Sequence, residues 1–428
     1  LMTFGAADDL DLTRRLGLAT AQEARAIGIQ WVFAPVADVN NNPENPIINI
    51  RSFGDDPQLV ARHVRAFIEG AHSDPANSVL VTAKHFPGHG DTNVDSHMGL
   101  PVLSASRERM NEVELVPFRA AAEAGVDAIM SAHIAVPTYD AEQTPATVSR
   151  PVLTGIIREQ LGYKGLIVTD AMDMQGLTKQ FSSEEAAARA VEAGADVLLM
   201  PPDPDAAVRG VLNAVRSGRI TESRINESVI RILSAKARVG LHKRKLVDLE
   251  NISDSLETED HLQLAQTAAD RGVKTLKNEA AAVPLSDPAS ACYWIMAESR
   301  HGQGGRRMQE EIRSRAKGAR VALMDAQMPL VEIEDLWSRA EGCSSHVGAA
   351  FVTVGAYRGN VALGGSYPAL MERMLASGRP TVLVSLGNPY LLRAFPAVHA
   401  FVATFSPAPT AEVAAVKALF GEIPIKAR

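Results

Sequence analysis

Short apolar runs separated by amphipathic stretches dominate the first 200 residues, and the runs end in polar side chains. The runs are Trp31 to Asp38, Val79 to His85, Ala128 to Ile134, Leu166 to Asp170 and Val197 to Met200. Runs this short that are apolar throughout suit strands covered on both faces, and helical patterns between them predict parallel βα units. Asp38, Lys84 with His85, His133 and Asp170 stand at or near the ends of their runs. In a βα barrel, loops at the carboxyl ends of the strands build the active face, so these residues are candidates for chemistry.

The intervening helices carry recognisable punctuation. Pro151 opens one whose apolar positions Val152, Leu153, Ile156, Ile157 and Leu161 share a face before Gly162. Ser182-Ser183-Glu184-Glu185 fits a capping box ahead of an alanine-rich helix ending at Gly194. Ile225, Val229 and Ile232 predict an inward stripe on a third helix. A charged, aperiodic stretch from 243 to 260 reads as a linker. Beyond it lie further strand candidates, Tyr293 to Met296, Val321 to Met324, Ala350 to Val354, Thr381 to Leu386 and Phe401 to Phe405, with a helix pattern over Thr410 to Phe420. The division is therefore 1–242, a linker at 243–260, and a second α/β domain over 261–428.

Composition narrows the function. The chain is 46% hydrophobic and 22% charged with a formal net charge of −7, and it has no basic run interleaved with aromatics, which argues against a nucleic-acid partner. The apolar runs are of strand length, too short to span a membrane. Gly302 to Gly305 and Gly364-Gly365-Ser366 lack the spacing of a phosphate loop, so no nucleotide cofactor is implied. Cys292 and Cys343 sit in no metal or redox spacing and read as two separate buried small hydrophobes.

The most informative local pattern is Lys84-His85-Phe86-Pro87-Gly88-His89-Gly90-Asp91-Thr92, followed by Asp95-Ser96-His97. A carboxylate beside an imidazole is a proton-handling pair, able to give a proton to a leaving group and later take one from water. Together with Asp170, this pattern resembles glycoside hydrolase family 3, and within it the bacterial β-N-acetylglucosaminidases. Asn45-Pro46 leading to Arg51-Ser52-Phe53-Gly54, Ser131-Ala132-His133, Thr169-Asp170-Ala171-Met172 and Gly387-Asn388-Pro389 extend the likeness along nearly the whole chain.

The resemblance implies a (β/α)8-type barrel followed by an α/β/α sandwich domain. It assigns Asp170 as nucleophile, ahead of its neighbour Asp173, and His97 as acid/base assisted by Asp95. Lys84, His85 and Arg51 are implied as donors to sugar hydroxyls, while His89, Asp91 and His133 line the pocket or support the catalytic loop. Adjacent strand residues point to opposite faces, so a bulge or strand end is expected near Lys84 if it and His85 are both to point inward. No metal or cofactor is implied. The expected partner is a small glycan ending in N-acetylglucosamine, such as a peptidoglycan fragment, split by a retaining hydrolase. A phosphorylase or a non-catalytic sugar-binding protein are the alternatives. Two-domain relatives are often exported, which favours export over the cytoplasm. Five strand candidates against eight in the family barrel, with no acidic Gly-Gly sugar loop, predict a chain cut at its amino end, and the Gly421 to Ile425 segment reads as cut too.

Overall fold

The computed structural model describes residues 1–299 and 301–424, so Ile425, at the end of the segment just mentioned, lies outside the described residues. The chain divides into two compact units: a first of Asp9–His261 with Gly355–Gly359, and a second of Leu1–Asp8, Leu262–Val354 and Asn360–Arg428. Two short segments, 1–8 and 355–359, thus cross the linear division drawn from the sequence.

In the first unit, β1 (Trp31–Val32), β2 (Leu80–Phe86), β3 (Ala128–Ser131) and β4 (Leu166–Thr169) form a parallel sheet in the order β1-β2-β3-β4. Every residue of β3 and β4 is buried, which explains their unbroken apolar sequences. Ala128, Met130, Leu166 and Val168 pack against Trp31, Val197, Leu199, Ile232 and Ala235. Phe86 and Phe118, both fully buried, meet edge to face at 5.1 Å. Each such side chain contributes about 1.5–3 kcal/mol on burial.

Three expected strands are shorter than predicted: Ala128 to Ile134 pairs only over Ala128–Ser131, and two others are reduced further. The run from Trp31 pairs at Trp31 and Val32 and again at a bridge from Val36 to Lys84; between them the Thr82 N–H still reaches the Ala34 carbonyl at 2.8 Å, but Pro35 has no N–H to complete a ladder. The run Val197–Met200 reduces to one bridge, Val168 to Val197. There the Leu199 N–H turns to the Thr169 hydroxyl at 2.9 Å, and Met200 adopts a left-handed conformation with φ 47°.

The helices mostly follow their sequence signals. Helix Ser183–Ala193 is capped by the Ser182 hydroxyl, which accepts from the Glu185 N–H at 3.3 Å, and it ends at Gly194 with φ +129°. Helix Pro151–Gln160 buries Val152, Leu153, Ile156 and Ile157. The expected inward stripe Ile225, Val229, Ile232 is wrong at its middle position, where Val229 is 44% exposed. The helix is rotated by Ser228, which is buried because its hydroxyl donates to Asp196 at 2.6 Å. Helices Leu10–Ala26 and Pro57–His72 cross so closely that a Cβ on Gly70 would lie 1.8 Å from the Arg14 carbonyl.

The second unit is an α/β/α sandwich. Its strands are β5 (Lys274–Asn278), β6 (Cys292–Ala297), β7 (Arg320–Asp325), β8 (His346–Val352), β9 (Thr381–Gly387) and β10 (Ala400–Ala403), in the order β5-β10-β9-β8-β6-β7. All pairings are parallel except β5 with β10. Alternate residues Tyr293, Ile295, Val347, Ala349, Val382 and Val384 face Met308, Ile312, Ala415 and Leu419 from helices Arg306–Arg315 and Pro409–Leu419. On the opposite face, Trp294 stacks on Trp337 at 5.3 Å, from helix Leu330–Ser338. The edge strand β5 escaped the sequence reading because it carries Lys274 and Lys277 where an apolar run is the signal sought. The cysteine expectation is also corrected: both are buried, but Cys292 and Cys343 are joined in a disulfide with Cα atoms 5.7 Å apart. Main-chain bonds from Ser344 to Ser290 (2.9 Å) and from Cys292 to Ser345 (3.0 Å) bring these distant segments together.

Candidate active site

Asp38, fully buried at the end of the Trp31 run, organises the polar end of β2. Its carboxylate accepts the His85 N–H at 3.1 Å, the His89 N–H at 2.7 Å and the His85 Nδ1–H at 2.7 Å. Burial alone would raise its pKa, but His85, His89 and the main-chain donor outweigh it and hold Asp38 below the ordinary range. Burial also lowers the pKa of the His85 imidazole, so the ring is neutral near pH 7, with its proton on Nδ1 toward Asp38. Its Nε2 then faces the Arg51 guanidinium at 3.4 Å.

The ladder between β2 and β3 slips between Lys84 and Phe86, and the Lys84–His85 peptide is cis. The irregularity expected near Lys84 is therefore present. Both side chains interact with the Asp170 carboxylate. Burial, with Arg51 nearby, pulls the Lys84 ammonium down to about 8 against the attraction of Asp170 and Asp38.

Asp170 follows β4 directly, and its Oδ1 accepts the Ala171 N–H at 2.8 Å. Burial opposes its ionisation, yet His85, His133, the Ala171 N–H and Lys84 together keep the carboxyl below its usual pKa. His133 is fully buried, and its Nε2 donates to the Ala171 carbonyl at 2.8 Å while Nδ1 meets the Thr147 hydroxyl at 2.8 Å. Burial lowers its pKa too, so a neutral ring fixes the turn that carries Asp170.

On the neighbouring loop, Asp95 is buried while the His97 side chain is 26% exposed. Asp95 Oδ1 accepts both the His97 N–H and the His97 Nδ1–H at 2.8 Å. A carboxylate on Nδ1 places the ring proton there and leaves Nε2 for exchange. The loop is tied down by the Gly176 N–H to the Ser96 carbonyl, 3.1 Å, and by Lys179 Nζ to the Met98 carbonyl, 2.7 Å.

The remaining candidates are paired with neighbouring side chains. His89 spans the Thr92 hydroxyl at 2.6 Å and the Ser96 hydroxyl at 3.0 Å, and burial lowers its pKa to about 4. Asp91 pairs with Arg109 at 3.4 Å. Gly90 is needed because a Cβ there would lie 1.8 Å from the Val39 carbonyl. The sequence signals Asn45-Pro46 and Arg51 also gain a cause. Asn45 Nδ2 donates to the carbonyls of His89, Gly90 and Thr92, while its Oδ1 accepts from Ile47 and Ile48. One amide thus joins the Arg51 turn to the His89 loop. Thr147, which lies in no motif, enters the site only through the fold, whereas Asp38, a candidate as the end of an apolar run, gains its role from the main chain that converges on it. Among the described residues, no group of three or more His, Cys, Asp and Glu side chains is arranged to hold a metal ion.

The arrangement places a buried ionised carboxylate at one strand end, a carboxylate–imidazole pair on an adjoining loop, and cationic or N–H donors around them. Comparisons with known proteins agree with that composition. Residues 1–235 match the glycosyl hydrolase family 3 N terminal domain. The chain is 30% identical to a beta-N-acetylglucosaminidase/beta-glucosidase of Cellulomonas fimi, over 99% of this chain and 78% of that protein. It superposes on the structure of a family 3 beta-N-acetylglucosaminidase from Paenibacillus sp. str. FPU-7 with TM-score 0.89 and 33% identity, covering 99% of this chain and 80% of that one. A beta-glucoside phosphorylase bound to 2FGlc gives TM-score 0.88 at 26% identity, over 100% of this chain and 78% of that one. The fold, the site and these likenesses together make the chain a member of glycoside hydrolase family 3.

Proposed function

We propose that this protein is a retaining exo-β-N-acetylglucosaminidase acting on terminal β-linked N-acetylglucosamine. The observation that carries the reading is the pairing of an ionised, buried Asp170 with an Asp95–His97 couple whose Nε2 is left for exchange. Its likenesses to β-N-acetylglucosaminidases support the choice of sugar.

In the first step the Asp170 carboxylate attacks the anomeric carbon, and the bond to the leaving oxygen breaks as His97 Nε2–H gives that oxygen its proton. Asp95 holds Nδ1–H throughout and balances the imidazolium. In the second step neutral His97 takes a proton from water, whose oxygen displaces Asp170 and regenerates the carboxylate. Lys84 and His85 interact with Asp170, Arg51 reaches His85, and the three are assigned to the sugar hydroxyls; His133 keeps the Asp170 turn in place. Peptidoglycan fragments are the natural substrate class in this reading.

A phosphorylase is the second reading, favoured by the likeness to a beta-glucoside phosphorylase and by the imidazole, which when neutral repels an incoming phosphate less than a carboxylate does. Turnover of an aryl N-acetylglucosaminide with and without phosphate separates the two. Free N-acetylglucosamine at a phosphate-independent rate supports the hydrolase, a sugar phosphate supports the phosphorylase, and binding without either product leaves only a sugar-binding protein.

A further inference from the structure

Asp95 has a second oxygen that His97 does not use. Asp95 Oδ2 accepts the main-chain N–H of Tyr357 at 2.8 Å. That donor lies more than 250 residues away in sequence, within the Gly355–Gly359 segment that clusters with the first unit. The segment forms a turn closed by the Arg358 N–H to the Gly355 carbonyl at 3.2 Å, with Tyr357 in the left-handed region at φ +66° and Gly359 at φ +70°. A left-handed tyrosine is uncommon, and here it aims the N–H at the carboxylate. The Tyr357 ring lies 5.3 Å from the His97 ring, tilted by 59°, and a Cβ on Gly359 would stand 3.8 Å from Met98 Sδ. The segment thus touches the catalytic loop at Asp95 and lies against His97.

We propose that Tyr357 is a positioning residue for proton transfer: its main-chain N–H fixes Asp95, and its ring flanks the imidazole, so that Nε2 of His97 is held at the leaving oxygen. Asp95 is buried, and its carboxylate receives three donors from fixed directions, two from His97 and one from Tyr357. Without the Tyr357 N–H, both remaining donors belong to the residue being positioned. The carboxylate is then free to rotate with His97, and the pair loses its external reference. Tyr357 acts through Asp95 and needs no contact with substrate. The proposal rests on the reading of His97 as proton donor.

The test replaces Tyr357 by its α-hydroxy acid, which exchanges the N–H for an ester oxygen and keeps the ring. Expected is a loss of about tenfold or more in kcat on a β-1,4-linked N-acetylglucosamine disaccharide, with less than about threefold on 4-nitrophenyl N-acetylglucosaminide, whose leaving oxygen needs little protonation. The thermal midpoint should stay near that of the parent. Tyr357→Phe, which keeps N–H and ring, should behave as the parent on both substrates. A readout independent of turnover is the His97 Nδ1–H proton resonance, expected in the parent and broadened by exchange in the ester. An unchanged resonance, or equal losses on the two substrates, overturns the proposal. If the parent hydrolyses neither substrate, the hydrolase reading falls by itself, and the resonance still decides whether Tyr357 holds the pair.

Discussion

The two units are each built on a parallel sheet, yet they use the carboxyl ends of their strands in opposite ways. At the ends of β2 and β4, buried titratable groups face one another: Asp38, Lys84, His85 and Asp170, with His133 beside them. At the ends of β7 and β9, polar groups close local turns. Asp325 accepts the Gln327 N–H at 2.8 Å, and the Ser385 hydroxyl donates to the Asn388 carbonyl at 2.5 Å. The difference teaches that parallel α/β architecture supplies a place for chemistry without dictating it. What marks a site is a set of buried titratable groups that offset one another's burial, helped by nearby main-chain N–H groups.

The sharpest way to break the contrast is to delete its central carboxylate. Asp170→Ala should lower turnover of an aryl N-acetylglucosaminide by ~10⁴-fold or more, since the nucleophile acts in every cycle. Retention of a tenth of the activity would mean that Asp170 is not the nucleophile. Next in size, His97→Ala should cost about 10²- to 10⁴-fold on disaccharides and far less on activated aryl glycosides. Equal losses on both would make His97 a sugar ligand.

Asp38→Ala probes the frame in place of the chemistry. It strands two main-chain N–H groups and the His85 ring in a buried site, and a loss of about 3–5 kcal/mol is expected, read as a fall in denaturation midpoint. A midpoint unchanged by the substitution would show that the loop is held mainly by Asn45.

Lys84 gives a pH signature with two opposite signs. Its pKa falls from 10.5 to about 8 on folding, so between those values the unfolded chain binds more protons, and this residue makes stability rise with pH across that window. Substrate binding should move the other way. As the ammonium loses its proton above about pH 8, KM should rise by a few fold, and Lys84→Arg should remove that rise. A flat KM through pH 9 in the parent would take Lys84 out of the sugar contacts. The smallest effect belongs to the other sheet: Asp325→Ala should leave turnover within about threefold, as expected for a turn apart from the chemistry.

Sequence made the strand ends legible because apolar runs ending in Lys84-His85 and Asp170 combine two strong signals, burial and charge. It also made Asp95 and His97 visible, since two residues apart is close enough for a side chain to reach the next ring. Relations that depend on folding were less accessible. Asp38 reads as one more strand end until the main chain of His85 and His89 is seen to converge on it. Tyr357 carries no motif, and its contribution comes from a main-chain N–H, which every residue but proline possesses. β5 hid behind its lysines, and the rotation of helix Glu222–Arg238 hid in a single serine, Ser228, whose hydroxyl pairs with a buried aspartate.

Asn45 has a further consequence, in chemical ageing. An asparagine commonly deteriorates when the main-chain nitrogen of the next residue attacks its side-chain amide, closing a five-membered imide that opens to aspartate. Asn45 can ill bear that fate, because its Nδ2 faces three carbonyl oxygens and a carboxylate oxygen in its place would repel all three. The next residue, however, is Pro46, whose nitrogen carries no hydrogen to lose, so the ring cannot close in the usual way. The second unit repeats the device: Asn388, whose amide bridges the Val361 carbonyl and the Tyr390 N–H, is followed by Pro389. In both units, an asparagine that ties loops together is chemically shielded by the residue that follows it.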